Sequence, residues 1–323
     1  MMIDKKSVKR ILLITLTNIG DIVLTTPLIS ALDKEFPGAR LDIMVGPFGK
    51  DIFVNHPKVF KVIIYNKHLP LQEKRRLVQK LKSIKYDLVV DLKNTLFPML
   101  IGSKYRTSPI QTAPKDVVHK KDFHLWKLKA LGIEVSDAPF SLHVSDKDRE
   151  YVDRLLENIP NSDNLITVSP TSKSLIKRWK QSGFARICER LIKEKGASIA
   201  MIGDDNDRGL IDDVIEQMDS RAYNLAGRTT IPQLAHLLMK SRLLITNDSA
   251  PMHIGHAVET RVLAIFGPTD PKKYGPRGRY DRIIRKDLGC SPCETAQCKT
   301  KHECMELISD DDVFNAAAEM LKG

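Results

Sequence analysis

The residue in this sequence that most needs a chemical explanation is Asp21. It follows the apolar run 11–16 (ILLITL), which is typical of a buried strand, and it comes one residue after Gly20, where the chain must leave the sheet. A carboxylate does not help a strand, and Thr17 or Asn18 could cap a following helix equally well. Asp21 is therefore a candidate general base, because a carboxylate within reach of a hydroxyl can accept its proton. A helix cap is the structural alternative.

A second candidate is the segment 247–253 (NDSAPMH), which runs from the end of an apolar strand into a predicted helix. Asp248 or Ser249 could simply cap that helix, and Pro251 suits its first turn. A helix N-terminus also binds phosphate through its free N–H groups, and the imidazole of His253 would add a donor. The segment thus predicts either an ordinary capped helix or a phosphate site.

Three further polar segments follow predicted strands. The first, 169–179 (SPTSKSLIKRW), combines hydroxyls with Lys177 and Arg178, which could hold a diphosphate or form a solvated loop. The second, 202–209 (IGDDNDRG), offers carboxylates of the kind that accept from ribose hydroxyls, with helix capping as the competing explanation. The third, 265–276 (IFGPTDPKKYGP), is a turn whose polar side chains could serve local backbone groups. No GxGxxG, Walker lysine or GxSxG motif is present.

Four of the five cysteines are crowded into CSPCETAQCKTKHEC, at Cys290, Cys293, Cys298 and Cys304. The Cys-x2-Cys pair favours tetrahedral zinc, whereas the second pair is spaced more loosely than usual. Disulfides are disfavoured in a reducing cytoplasm. Structural zinc and free packed thiols both stay open, and no metal is assigned.

The candidate residues are carried by strands that alternate with helical stretches. Eight runs are predicted as strands: 10–16, 41–46, 61–65, 87–92, 165–170, 198–203, 243–248 and 261–267. This alternation predicts an α/β fold of two Rossmann-like, doubly wound parallel-sheet domains facing across a cleft. The polar segment 157–164 divides residues 1–160 from residues 161–323, whose last helix could pack back on the first domain. Ligands of such sheets bind at the carboxyl ends of the strands, where most of the polar motifs lie.

Composition and charge narrow the classes of protein. Apolar residues make up 42% of the 323 and charged residues 28%, as in globular proteins. No apolar run approaches the ~20 residues that span a bilayer, so a cytoplasmic protein is expected. The net charge is +11, and the window 58–129 alone holds 17 Lys or Arg against 5 Asp or Glu. That excess indicates an anionic partner or solvated helix faces. Nucleic acid is the weaker partner, because aromatic residues are few and no binding motif appears.

Taken in order, the motifs resemble those of one known family. TNIGDIVLTTPLISAL, KRW, NDSAPMHIGHA and AIFGPTDP are similar to the glycosyltransferase family 9 heptosyltransferases of lipopolysaccharide inner-core synthesis. The terminal CSPC…C…CMELI is similar to the heptosyltransferase II-like branch. The resemblance covers essentially the whole chain and implies a GT-B fold. Thr15 stands where members often have a basic residue, and Ala250 stands where a glycine is common.

The resemblance also implies roles for individual residues. Asp21 would be the catalytic base, and Asn18 and His119 would lie on the acceptor side. Asp207 would face the ribose of the donor. The donor diphosphate would be surrounded by Thr171, Ser172, Lys177, Asp248, Ser249, Ala250 and His253.

The resulting hypothesis is an inverting glycosyltransferase that requires no cofactor. It would move heptose from ADP-L-glycero-D-manno-heptose to a lipid A–Kdo type acceptor of the inner core. It would lie peripherally on the inner face of the bacterial inner membrane, with its basic window against anionic lipid and with no nucleic-acid partner. The alternatives are a family 9 transferase that uses another nucleotide sugar, and an inactive sugar-nucleotide-binding protein.

Overall fold

A computed structural model describes residues 3–110, 112–136 and 138–322. The chain forms two compact units, residues 1–143 and residues 144–323. Within the described residues, no helix combines the length and the apolar character needed to cross a membrane.

The first unit is a five-stranded parallel sheet with helices packed on it. Its strands lie in the order β3-β2-β1-β4-β5, which is the Rossmann order with the first strand at the centre. Apolar side chains of β1, β2 and β4 are almost fully buried, because both faces of a parallel sheet are covered. Its elements are β1 Arg10–Ile14, α1 Ile19–Val23, α2 Pro27–Glu35, β2 Arg40–Val45, β3 Lys61–Ile64, α3 Leu71–Ile84, β4 Leu88–Asp91, α4 Phe97–Ile101, β5 Tyr105–Arg106 and α5 Lys120–Lys129.

The second unit repeats this arrangement with six parallel strands, in the order β11-β10-β9-β6-β7-β8. Strands β10, β9 and β6 are neighbours at its centre, so the loops that follow them meet at one edge of the sheet. Its elements are α6 Asp146–Leu156, β6 Leu165–Ser169, α7 Gln181–Lys195, β7 Ser198–Met201, α8 Arg208–Ile215, β8 Tyr223–Asn224, α9 Ile231–Lys240, β9 Leu243–Asn247, α10 Ala250–Ala257, β10 Val262–Ile265, α11 Pro271–Tyr274, β11 Arg282–Ile284, α12 Glu303–Glu306 and α13 Asp310–Met320.

All eight strands predicted from the sequence are present: seven are one to three residues shorter than the predicted run, and β2 has the predicted length but begins one residue earlier. The doubly wound α/β class is therefore confirmed. Three strands were not predicted, namely β5, β8 and β11. They contain two or three residues and lie at or near the sheet edges, so they carry too few side chains for a periodic pattern.

The boundary between the units lies at 143/144 instead of 160/161. Helix α6 precedes the polar segment that was taken as the linker, but it packs against α9 of the second unit. The Tyr151 hydroxyl donates to the Arg228 carbonyl at 2.7 Å, and Asp153 bonds His236 at 3.3 Å. The last helix, α13, packs against α7, β9 and β11 of its own unit.

Candidate active site

In the first unit, Asp21 lies in the first turn of helix α1, just beyond the carboxyl end of β1. Asn18 occupies the N-cap position, but its side chain makes no capping bond. Its amide instead donates to the Asp21 carboxylate at 3.1 Å. Asp21 is half-buried, so its carboxylate is accessible at the edge of the sheet where ligands of such units bind.

The turn that ends β1 is not made by Gly20. It lies inside α1, and the chain leaves the strand through bends at Thr17 and Asn18. The left-handed conformation for which glycine is usually required does not occur at Gly20.

His119 has a local structural contact in the same unit. It is the N-cap residue of α5, where its Nδ1 accepts from the Lys121 N–H at 3.2 Å, and only 1% of the residue is exposed. A buried ring that caps a helix has little surface left for a large acceptor. The geometry therefore favours a capping role for His119 over contact with a ligand.

Lys127 is one of the basic residues of the window 58–129, but unlike the surface residues of that window it lies in the interior of the first unit. It is fully buried, and its ammonium donates to the Asp91 carbonyl at 3.1 Å and to Asn94 Oδ1 at 2.5 Å. Desolvation lowers the pKa of Lys127, and the nearby Asp91 charge opposes that shift. Lys127 thus fixes the loop that follows β4, and nothing in the sequence marks it as buried.

In the second unit, the Asp248 carboxylate is the centre of the candidate donor site. It follows β9 and is 5% exposed. Its Oδ2 accepts from Lys177 Nζ at 2.7 Å and from the Thr269 hydroxyl at 2.6 Å. Lys177 belongs to the segment after β6, and Thr269 belongs to the segment after β10. Three neighbouring strands therefore deliver one cation, one carboxylate and one hydroxyl to a single point.

Asp248 is not the cap of helix α10, because its carboxylate bonds Lys177 and Thr269. Ser249, not Asp248, is the N-cap residue of α10, and its side chain makes no capping bond. The Ser249 hydroxyl lies 3.2 Å from that of Thr246. The first N–H groups of a helix have no partner within it, so the start of α10 at Ala250 can receive an anion. His253 is buried in the same helix, with 8% exposed.

Asn247, the last residue of β9, joins two of the loops at this edge. Its Oδ1 accepts from the Trp179 N–H at 3.0 Å, and its Nδ2 donates to the Pro170 carbonyl at 2.9 Å. The buried amide thus fixes both ends of the segment that carries Lys177. Asn247 is the first residue of the motif 247–253, but the spacing of that motif does not indicate that its amide joins Pro170 and Trp179.

A second contact pair lies in the segments after β6 and β7. The Thr171 hydroxyl donates to Asp207 Oδ2 at 2.9 Å, and the Asp204 N–H donates to the same oxygen at 3.0 Å. Asp204 and Asp207 form a capping box, so the expected cap by an acidic residue here is confirmed. Ser172 is buried, and its carbonyl accepts from Arg178 Nε at 2.7 Å.

The four clustered cysteines are free thiols, of which Cys290 and Cys293 are exposed and Cys304 is buried. Among the described residues, no group of three or more His, Cys, Asp or Glu side chains is arranged to hold a metal ion. Structural zinc is therefore not supported. The Cys293 sulfur lies 3.3 Å from the Thr295 hydroxyl and the Cys298 sulfur lies 3.5 Å from the Thr300 hydroxyl, and these side-chain hydrogen bonds lower the pKa of each thiol.

Comparison with known proteins identifies the family. Residues 74–303 match the model of glycosyltransferase family 9 (heptosyltransferase). The chain is 25% identical to lipopolysaccharide heptosyltransferase 3 of Escherichia coli K12, over 94% of this chain and 95% of that protein.

Solved structures show the same fold over nearly the full length. A family 9 glycosyl transferase from Veillonella parvula superimposes with a TM-score of 0.83 at 23% identity, covering 97% of each chain. The E. coli ADP-heptose lipopolysaccharide heptosyltransferase II gives 0.80 at 21%, covering 97% of this chain and 98% of that one. The two Rossmann-like units are those of the GT-B fold. The chain therefore belongs to glycosyltransferase family 9 and is a glycosyltransferase.

Proposed function

We propose that this enzyme transfers heptose from ADP-L-glycero-D-manno-heptose to the lipopolysaccharide inner core, with inversion at the anomeric carbon. The observation that carries the proposal is the contact of Lys177 and Thr269 with Asp248 beside the start of helix α10. An E. coli relative with this fold is named for ADP-heptose, which makes an ADP-sugar the first donor to test.

The donor diphosphate would lie at the N-terminus of α10, where backbone N–H groups and the helix dipole favour negative charge. Ser249, Ala250 and His253 line this end of the helix. Lys177 is a quarter exposed while Asp248 is almost fully buried, so the ammonium is held on its protein side and can still face a phosphate.

The remaining candidate residues would contact the phosphates and the ribose of the same ligand. Thr171 and Ser172 follow the central strand β6 and would extend the phosphate site. Asp207 would accept from the ribose hydroxyls, as carboxylates do at this position of Rossmann units. Since one of its oxygens already accepts from Thr171 and Asp204, its other oxygen, Oδ1, would face the ribose.

Asp21 would act as the general base of the reaction. Its carboxylate would take the proton of the acceptor hydroxyl while that oxygen forms a bond to the anomeric carbon of the heptose. The bond from that carbon to the diphosphate breaks on the opposite face, and ADP leaves with the negative charge. Lys177 and the start of α10 would stabilise this charge. One displacement inverts the configuration, and Asn18 would orient the base through its 3.1 Å bond.

The acceptor would be of the lipid A–Kdo type and would be met at an anionic membrane surface, on the cytoplasmic side of the inner membrane. Helix α3 of the first unit supports this partner, because Arg75, Arg76 and Lys80 are exposed on it. The adjacent α4 exposes Met99 and Leu100 by 55% and 54%. Basic side chains beside exposed apolar ones suit a surface of anionic headgroups over acyl chains.

The test is a transfer assay with purified protein, ADP-heptose and lipopolysaccharide from a heptose-deficient strain. Mass spectrometry should detect the acceptor plus one heptose, with release of one ADP. UDP- and GDP-sugars run in parallel address the main alternative, a family 9 transferase with another donor. Binding of ADP-heptose without any transfer would instead indicate an inactive sugar-nucleotide-binding protein.

A further inference from the structure

The segment 290–305, which holds the four clustered cysteines and is here called the cysteine strap, lies against the loop that carries Thr269. The Ser291 hydroxyl donates to the Gly267 carbonyl at 2.6 Å. The N–H groups of Cys293 and Glu294 both donate to the Pro268 carbonyl, at 3.0 and 2.9 Å. The two carbonyls that immediately precede Thr269 are therefore bonded to the strap.

The other end of the strap packs against the same loop. A Cβ added to Gly267 would overlap the Met305 sulfur and lie 3.1 Å from the Cys304 sulfur. Cys304 and Met305 are both buried. Residue 267 must therefore be glycine for the backbone of the loop to touch the strap this closely.

A further bond ties the chain just beyond the strap to the segment that supplies Lys177. The indole N–H of Trp179 donates to the Ile308 carbonyl at 3.0 Å, and Trp179 is 2% exposed. Trp179 comes two residues after Lys177. The strap and Ile308, three residues beyond it, thus bind both loops whose side chains meet at Asp248.

We propose that the cysteine strap is a positioning element of the donor site. It holds residues 267 and 268 so that the Thr269 hydroxyl reaches Asp248, and this fixes the carboxylate that aims Lys177 at the donor phosphates. The inference rests on the proposed use of this site for ADP-heptose. It requires no metal, because the hydrogen bonds of Ser291, Cys293 and Glu294 and the packing of Cys304 and Met305 supply the contact.

The experiment compares ADP binding by calorimetry in the full-length wild type and in Ser291→Ala and Gly267→Ala. Ser291→Ala should weaken ADP binding about fivefold, the effect of losing roughly one hydrogen bond. Gly267→Ala should weaken it by a similar factor, because its methyl group would overlap the Met305 sulfur and push the strap away from the loop. Both variants should raise the KM for the donor with the KM for the acceptor unchanged. Ser291→Thr keeps the hydroxyl and should bind ADP like the wild type.

Two controls separate positioning from general stability. Gly289→Ala, just before the strap, meets no heavy atom within 4 Å and should leave ADP binding unchanged. Ser309→Ala removes the capping box of α13 and should lower the melting temperature without changing ADP binding.

The outcomes separate this inference from the proposed function. If the wild type binds ADP and both Ser291→Ala and Gly267→Ala match it, the strap does not position the donor site. If Gly267→Ala does not fold, Ser291→Ala with its threonine counterpart decides alone. If the wild type does not bind ADP, the proposed function fails and the inference fails with it.

Discussion

Replacing Lys177 by methionine separates its contribution to folding from its contribution to donor binding. The Lys177 ammonium lies 2.7 Å from Asp248 Oδ2, and the side chains of the two residues are 27% and 6% exposed. Methionine keeps the length of the side chain and removes the charge. The Asp248 carboxylate would then be buried with the Thr269 hydroxyl as its remaining partner.

The size of both effects is expected from typical contact energies and from the partial exposure of Lys177. Breaking a fully buried ion pair costs about 3–5 kcal/mol, but Lys177 is partly exposed, so we expect about 2 kcal/mol in the free energy of unfolding. In a unit of this size that corresponds to a fall in melting temperature of roughly 4–8 °C. ADP binding should weaken about tenfold, or about 1.4 kcal/mol, because one charge-assisted contact to phosphate is lost.

The double variant Lys177→Met, Asp248→Asn distinguishes the two effects. The neutral amide removes the unpaired buried charge, so the melting temperature should recover most of its loss, whereas ADP affinity should stay low. Thermal unfolding and calorimetry measure the two quantities on the same samples. Unchanged ADP affinity in Lys177→Met would refute the donor site, and a double variant no more stable than the single one would refute the pairing energetics.

Two further predictions concern the first unit. Neutralising Arg75, Arg76 and Lys80 of α3 to glutamine should reduce binding to anionic vesicles and leave ADP affinity unchanged, because long-range attraction is lost; equal vesicle binding would show that the charges only face solvent. The matched control neutralises three exposed basic residues of the second unit, Lys195, Arg221 and Lys322. Burial lowers the pKa of His124 to about 3, and neither ring nitrogen has a hydrogen-bond partner among the residues that the structure describes. Because the unfolded chain takes up the proton first, stability should fall as the pH drops from about 6.5 towards 3; His124→Leu should flatten that fall in urea unfolding, and a curve parallel to the wild type would contradict the assignment.

Much of the fold could be predicted because its signals are local. Buried strands of parallel sheets are continuous apolar runs, and in the second unit those runs end at the motifs with polar side chains. The exact ends of elements were less predictable, because they depend on contacts made elsewhere. Helix α6 looks like part of the first half by sequence position, yet Tyr151 and Asp153 bond residues of the second unit.

The candidate site was predictable in its residue types but not in its connections. Asp248 and Lys177 were both named from the sequence, 71 residues apart, but no spacing rule indicated that they form an ion pair. Thr269 looked like a generic turn residue in the sequence. Its hydroxyl donates to Asp248, which follows a different strand, so the local sequence around Thr269 gives no sign of this contact. The buried Lys127 was counted as surface, since a lysine carries no sequence mark of burial. Long-range pairing of this kind is decided by the order of the strands.

The most direct test of the central claim is the transfer rate of Asp21→Asn. Asparagine keeps the shape of the side chain and can still bond Asn18, but it cannot accept the proton. We expect heptose transfer to the lipopolysaccharide acceptor, measured by mass spectrometry, to fall by about 10²-fold or more, with melting temperature and ADP affinity near those of the wild type. Asp33→Asn, at a surface ion pair with Lys58, is the control and should keep full activity. An Asp21→Asn enzyme that retains most of its turnover would contradict the assignment of this carboxylate as the base.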